Sequence, residues 1–296
     1  MARLSQMGPL ISVVTPCRNM ARFLPQCIAS VLNQDYPNVE YLIIDGGSTD
    51  SSVSIITSHA HRLAYWVSEP DSGQSHAINK GLERATGDLV CWLNADDYFL
   101  PGAFRAVGDA YTKNADAPFY FGDGVRVDEM GATKAGFFPD GVVRFSEQAL
   151  LKGLNYILQP SAFISRRRLE AIGSLDETLH YGMDSDLWMR LATCGRPVPI
   201  QAKLSASREY ASTKTSTGSF DRIEELRRIS HRHTGLSMTP GALCYLFDEL
   251  LKHANDHPEL FSTDFTKRLV DLWATTSREF ERFGARPDGF PLRDDQ

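Results

Sequence analysis

The chain has 296 residues, 42% hydrophobic and 23% charged, and its 31 Lys+Arg against 37 Asp+Glu leave a formal charge of -6. A chain of this size buries about three quarters of its unfolded surface, so its core needs no disulfide or structural metal. The acidic balance excludes a general polyanion binder, because gripping a phosphate backbone takes dense Lys and Arg, and nucleic acid is not an expected partner.

No stretch reaches the roughly 20 apolar residues of a membrane span, and no basic-then-apolar leader opens the chain. The cysteines, Cys17, Cys27, Cys91, Cys194 and Cys244, are scattered with no C-x-x-C pair. That usage suits buried thiols in a reducing compartment, so a cytoplasmic protein is expected.

In chain order, Leu10 to Thr15 reads as a buried strand, and Phe23, Cys27, Ile28, Val31 and Leu32 follow at helical spacing. Tyr41 to Asp45, Leu63 to Ser68 and Leu89 to Asn94 are further strands. Between the last two lies a helix with Ala77, Ile78, Leu82 and Ala85 inward and Asn79, Lys80, Glu83 and Arg84 outward. Alternation of strand and helix predicts an α/β fold with a mostly parallel sheet covered on both faces, whose ligands bind beyond the carboxyl ends of the strands.

Beyond residue 122 the sequence predicts a hairpin from Val125 to Phe138 around Met130-Gly131, an apolar section at 159–164 and a short helix from Arg166. A helix through Leu187, Trp188 and Leu191 follows, with Asp184 near its start, where the helix dipole favours an acid. Helical patterns then occupy 223–231, 242–253 and 265–283, and the polar end from Arg286 reads as disordered.

Each of the four strand ends carries polar, turn-forming residues and the last three carry acids: Thr15-Pro16-Cys17-Arg18-Asn19, Asp45-Gly46-Gly47-Ser48-Thr49-Asp50, Glu69-Pro70-Asp71-Ser72-Gly73 and Asn94-Ala95-Asp96-Asp97. Singly, each suits a cap or a tight turn. Together they place several acids beside one another at one end of a parallel sheet. Short oxygen ligands in the last loop suit Mg²⁺ or Mn²⁺, which bridges substrate phosphates; the alternative is an acid pair opening a helix near Pro101. No G-x-x-x-x-G-K-[ST] and no G-x-G-x-x-G after the first strand is present, which disfavours P-loop enzymes and dinucleotide dehydrogenases.

Ser12-Val13-Val14-Thr15-Pro16, Gln34-Asp35-Tyr36-Pro37-Asn38, Ile44 to Asp50, Asn94 to Asp97, Gln159-Pro160-Ser161 and Met183 to Arg190, in that order, resemble the family 2 glycosyltransferases of the GT-A fold. The resemblance covers about residues 1–215, with a nucleotide-binding half to about 122 and an acceptor half from 123. It leaves a helical region at 216–285 and the tail at 286–296. It implies metal-dependent, inverting transfer of one sugar from a UDP-, dTDP- or GDP-sugar to a hydroxyl of a polysaccharide, O-antigen or glycolipid acceptor. Processive members carry transmembrane helices and a Q-x-x-R-W motif, and neither is present here.

By similarity, Thr15, Pro16 and Arg18 line the nucleoside pocket, Asp45 accepts from the base, and Asp71 holds the base or ribose. Asp96, with Asp97, ligates Mg²⁺ or Mn²⁺ on the donor diphosphate, and Asn94 stands where the family's D-x-D motif begins. Asp184 is the implied general base and Asp186 its understudy, and Met183 replaces the family's Glu beside the base. Asp184 also suits a plain helix cap. Lys214 resembles a loop cation that covers the diphosphate, and Tyr210 replaces a His that the family often uses as a ligand. His76 and His180 are candidates for acceptor contacts or plain polar residues.

The cluster Arg222, Arg227, Arg228, His231, Arg232 and His233 reads as a solvated helix face or as a peripheral contact with anionic lipid at the inner face of a membrane. Two other readings compete. An inactive sugar-nucleotide-binding module is consistent with the departures at Asn94 and Met183. A nucleotidyltransferase would want a Gly-rich basic loop after the first strand, which is lacking.

Overall fold

The computed structural model describes residues 8–268, 270 and 271, so most of the expected helix at 265–283 and the whole tail from 286 lie outside the described residues. Two compact units emerge, each assembled from separate stretches of chain. The first takes the chain up to Phe145 with Ile157–Thr178 and Arg190–Tyr210, and the second takes Ser146–Tyr156, Leu179–Met189 and the chain from Ala211.

The elements run β1 (Ile11–Cys17), α1 (Leu24–Leu32), β2 (Val39–Asp45), α2 (Ser52–His59), β3 (Tyr65–Ser68), α3 (Gln74–Leu82), β4 (Leu89–Trp92), β5 (Tyr98–Phe99), α4 (Ala103–Lys113), β6 (Phe119–Val127), β7 (Thr133–Gly136), α5 (Glu147–Leu151), β8 (Ala162–Ser165), α6 (Arg166–Ile172), α7 (Met183–Ala192), β9 (Val198–Arg208), α8 (Lys214–Thr217), α9 (Ser219–Thr234) and α10 (Pro240–Asp256). The first unit holds one nine-stranded sheet in the order β3-β2-β1-β4-β8-β6-β9-β5, with β7 paired to β6. Strands β1 to β4 are mutually parallel, and β8 joins antiparallel to β4.

Every residue of β1 is buried, as a parallel strand covered on both faces requires. The helices between these strands supply the cover. Leu24, Cys27, Ile28 and Val31 of α1 pack into a core with Val13, Tyr41, Ile43, Leu89, Phe104 and Phe163. Strand order reverses at β1, which has β2 on one side and β4 on the other. Such a switch opens a crevice beyond the carboxyl ends of the two strands, where ligands of open α/β sheets bind. The expected hairpin is present as β6 and β7, closed by Gly131 at φ 89° and by the Asp128 carboxylate accepting from Met130 and Ala132 N–H.

One inward–outward assignment is corrected. Asn79, expected to face solvent, is buried, where its amide donates to Leu175 O (3.0 Å) and Glu177 Oε1 (2.9 Å) and accepts from Leu175 N–H (3.1 Å). A buried amide is tolerated because those partners satisfy it.

In the second unit, residues 146–156 and 179–189 pack with the helices beyond residue 218. Gly153 and Gly241 let two backbones meet, since a Cβ on Gly241 would lie 2.2 Å from Gly153 O. Thr239 caps α10 on Ala242 N–H, and Ile223, Leu226 and Ile229 form the buried stripe of α9. The basic cluster is divided among partners. Arg227 pairs with the exposed Glu224, Arg232 and His233 meet Asp186, and Arg222 lies 5.1 Å over the Tyr245 ring. No described helix is long and apolar enough to cross a membrane.

Candidate active site

The loops after β1 and β2 are stitched together at the switch point. Asn19, in the left-handed region at φ 54°, accepts from Thr49 N–H at 2.8 Å, while its own N–H donates to Ser48 Oγ at 2.7 Å. Met20 N–H donates to Ser52 Oγ and Ala21 N–H to Asp50. Arg18, expected near a nucleoside, is exposed and has no protein partner among the described residues. Pro16 is buried beneath it.

Thr15, expected to line the same pocket, is fully buried. Strand alternation turns Thr15 into the core, where its hydroxyl lies 3.0 Å from the Tyr41 hydroxyl. Asp45 is fully buried and organises its own turn. Its carboxylate accepts from Gly47 N–H (3.1 Å), Ser48 N–H (2.9 Å), Ser48 Oγ (2.5 Å) and Ser68 Oγ (2.6 Å). A carboxylate has about four acceptor positions. Oδ2 takes three of these bonds and Oδ1 only one, so a further donor would have to meet Oδ1.

Asp71 is less enclosed and lies directly over Gly46, where an added Cβ would fall 2.3 Å from its Oδ2. Its Oδ1 accepts from Gly73 N–H at 2.9 Å. Gly46→Ala should therefore swing Asp71 aside while the fold survives, because the clash is with a side-chain end. Loss of one hydrogen bond to a charged group, about 1.5–3 kcal/mol, corresponds to roughly 10- to 100-fold weaker UDP or GDP binding by calorimetry. Unchanged affinity would remove Asp71 from the nucleotide site.

Beyond β4 the chain does not open a helix. Strand β5 intervenes, and α4 starts only at Ala103 behind Gly102, so the acids at 96–97 are not its cap. Asn94 is engaged on both sides: Oδ1 accepts from Gln74 at 2.8 Å, and Nδ2 faces Asp97 Oδ2 (3.5 Å) and Gln159 Oε1 (3.4 Å). Here an amide donates to two acceptors that a second Asp would repel, which accounts physically for Asn at this position. Asp97 is the acid expected to ligate a metal beside Asp96. It is buried, its Oδ1 accepts from Arg208 N–H at 2.8 Å, and burial beside Asp96 pushes its carboxyl well above the usual range.

Asp96 is only half-buried. Its Oδ2 accepts from the Tyr210 hydroxyl at 2.9 Å, and its Oδ1 takes no hydrogen bond from another residue. Burial raises its carboxyl, opposed by that hydroxyl and by the charge of Arg208. Arg208, which the sequence does not flag as a site residue, holds the loop. Its Nε donates to Asp96 O (2.8 Å), its guanidinium reaches Glu129 O (3.0 Å) and Gln26 Oε1 (2.7 Å), and it lies 4.7 Å over the Phe23 ring.

Among the described residues, no three His, Cys, Asp or Glu side chains form a ready cation cage. The free Asp96 oxygen nonetheless fits an ion such as Mg²⁺, which takes one or two carboxylates, several waters and substrate phosphate oxygens. The thiols are not competitors: burial pushes Cys17, Cys27 and Cys244 up to about 12. His76 is occupied by Ser72, whose N–H and hydroxyl lie 3.0 and 2.9 Å from its Nδ1.

The second unit carries Asp184, Asp186 and Lys214. Asp184 stands in the first turn of α7, partly buried; Oδ1 accepts from Ser185 N–H (2.7 Å) and Oδ2 from Asn155 Nδ2 (3.2 Å). Burial raises its carboxyl above the usual range, opposed by these bonds and by Arg222. Asp186 is instead a tie to α9: it is buried, 2.9 Å from His233 Nε2 and 3.5 Å from Arg232. Lys214 opens α8, where burial lowers its ammonium against the pull of Glu225 and Asp184. His180 is exposed on the loop before α7.

The sequence profile of glycosyl transferase family 2 matches residues 12–173, which include the loops of Arg18, Asp45, Asp71 and Asp96 and end before Asp184. An uncharacterized glycosyltransferase of Rickettsia typhi is 27% identical over 229 residues, 75% of this chain and 70% of that protein. An O-antigen biosynthesis protein of Myxococcus xanthus is 30% identical over 224 residues, 73% of this chain but only 17% of that much longer protein. Staphylococcus aureus TarS 1–349, solved with UDP-GlcNAc, superposes with a TM-score of 0.62 at 16% identity over 92% of this chain and 81% of that one. A Pyrobaculum calidifontis mannosyltransferase solved with GDP-Man and Mn²⁺ gives 0.56 at 18% identity over 97% and 77%. These two share the GT-A architecture, and with the profile match across the sheet and its loops, the chain is a glycosyltransferase belonging to glycosyl transferase family 2.

Proposed function

We propose that this enzyme transfers one sugar, with inversion, from a nucleotide-diphosphate donor to a hydroxyl of a saccharide or lipid-linked saccharide acceptor. The observation that carries this reading is Asp96, a half-buried carboxylate at the crevice of β1 and β4 with one oxygen held by Tyr210 and the other open. Asp96 would hold Mg²⁺ or Mn²⁺, which would supply charge for the leaving diphosphate. Arg18 and Asp71 contact the nucleoside end, and Lys214 adds a cation for the phosphates.

Asp184 accepts the proton of the acceptor hydroxyl as its oxygen attacks the anomeric carbon. The bond from that carbon to the phosphate oxygen breaks, and its electron pair leaves with the nucleoside diphosphate. A carboxyl raised by burial is a stronger base than one in water, which suits this role. Asp45 acts at one remove, by fixing the turn at Gly46–Gly47 against which Asp71 rests.

Thermal melting with UDP-GlcNAc, UDP-glucose, dTDP-glucose and GDP-mannose, each with Mn²⁺ and with EDTA, tests the donor assignment. A donor that binds the folded state raises Tm, by about 2.7 kcal/mol of stabilisation at 100 times its Kd. One of the four should do so, and more strongly with Mn²⁺. No shift with any of them would sink the donor class.

A further inference from the structure

Glu225 stands on α9, outside the stretch that matches the family profile. It follows Glu224, and the two look alike in sequence, but Glu224 is exposed and paired with Arg227 whereas Glu225 is 4% exposed. Its carboxylate accepts from three consecutive backbone N–H groups. Oε2 takes His180 N–H at 2.8 Å, and Oε1 takes Tyr181 and Gly182 N–H, each at 2.6 Å.

These three amides immediately precede α7, whose first turn presents Asp184. The segment is held from a second side as well, since a Cβ on Gly182 would fall 2.6 Å from Ile229 Cδ1 and 3.0 Å from Leu226 Cδ2, both on α9. A buried carboxylate is costly unless its acceptor sites are filled, and short charge-assisted bonds to backbone amides fill them here. The bonds fix the φ/ψ angles of residues 180–182, and thereby the direction in which α7 starts.

We infer that Glu225 is a positioning residue for the reaction: it acts through the 180–182 turn to set the place of Asp184 without touching substrate. The inference rests on Asp184 as the base. A base displaced by about 1 Å costs on the order of 10²-fold in rate, so a side chain that fixes the turn governs turnover from outside the reacting atoms. The other tie between α7 and α9, Asp186 to His233, lies farther along the helix and provides a control.

The test uses the full chain, with whichever of UDP-GlcNAc, UDP-glucose, dTDP-glucose and GDP-mannose it hydrolyses, followed by nucleoside diphosphate release in Mn²⁺. Glu225→Gln keeps the shape but puts an amide N–H₂ against backbone donors. Glu225→Asp keeps the charge and withdraws it by one methylene, and it carries the test if the first variant does not fold.

In the folded variant, kcat should fall on the order of 10²-fold with donor KM within about twofold. Amide exchange at 180–182 should quicken, and His233→Gln should lower Tm while keeping kcat within about threefold. Wild-type kcat despite fast exchange overturns the inference, as does an equal kcat loss in His233→Gln. A raised donor KM at unchanged kcat also overturns it, by routing the effect through the neighbouring Lys214. Asp184→Ala decides the base separately: turnover kept there sinks the base, whereas turnover kept only in the Glu225 variants sinks only the positioning role.

Discussion

Replacing Asp184 with alanine should lower kcat on the order of 10²–10⁴-fold, the usual worth of a positioned general base, and leave donor affinity unchanged. The two halves of that expectation separate a base from a helix cap. A cap acts on stability, about 1 kcal/mol, and would reduce kcat only as far as it unfolds the chain. Calorimetric titration of UDP alongside turnover distinguishes them, and retained turnover would remove Asp184 from the chemistry.

The pH dependence follows with a definite sign. Turnover needs Asp184 ionised, and burial raises its carboxyl, so kcat should fall as pH drops through a value above the roughly 4 of a free aspartate. Linkage gives the companion result. An acid whose folded pKa is raised lends stability below its unfolded value and loses it as pH rises through the folded one. At neutral pH the ionised Asp184 therefore costs stability, and Asp184→Asn should melt no lower than the wild type while being inactive.

Asp96→Asn is expected to have the second largest effect. It keeps the shape at the end of β4 but removes an acid with an oxygen that takes no hydrogen bond from another described residue, whereas Asp97 accepts from Arg208 N–H and Asn94 carries no charge. The stabilisation by UDP in Mn²⁺ should shrink to the value in EDTA. Loss of several kcal/mol of charge stabilisation on the leaving diphosphate lowers kcat by roughly 10²–10³-fold. A Mn²⁺-dependent Tm shift equal to that of the wild type would show that Asp96 does not hold the ion.

Much of the first unit was legible because parallel strands buried on both faces must be written as apolar runs, as Ile11–Thr15, Tyr41–Ile44 and Leu89–Leu93 are. Ligand-facing loops in such folds follow the strands, so the loops of Arg18, Asp71 and Asp96 stood out by position, while the roles expected of those residues came from the family resemblance. What escaped depends on partners far along the chain. Asn79 sits at an outward helical position, yet its amide is claimed by Leu175, 96 residues away. Asp97 and Asp96 are adjacent acids that differ only in which of them meets the Arg208 amide, 111 residues on.

Glu225 was hidden for a different reason. Its three partners are backbone amides, which every sequence has, so no residue type announces them. Thr15 shows a different limit: a motif places it at a strand end, but strand alternation, which decides that its side chain meets Tyr41, is a matter of register. Arg208 and Tyr210 lie past the matched profile, and only the pairing of β9 with β5 and β6 brings them to the Asp96 loop.

That arrangement has a consequence for how the enzyme comes into being. The profile's match ends at residue 173, whereas the arginine that fastens the Asp96 loop, and the tyrosine that orients its carboxylate, arrive with β9 and just after it. Non-local pairings of this kind pay a loop-closure cost before their contacts repay it, which slows folding. During synthesis, a nascent chain that has emerged only through β8 carries every strand-end motif and still lacks the contacts that aim Asp96. Asp96 therefore gains both of its tethers only once β9, the last strand among the described residues, is in place.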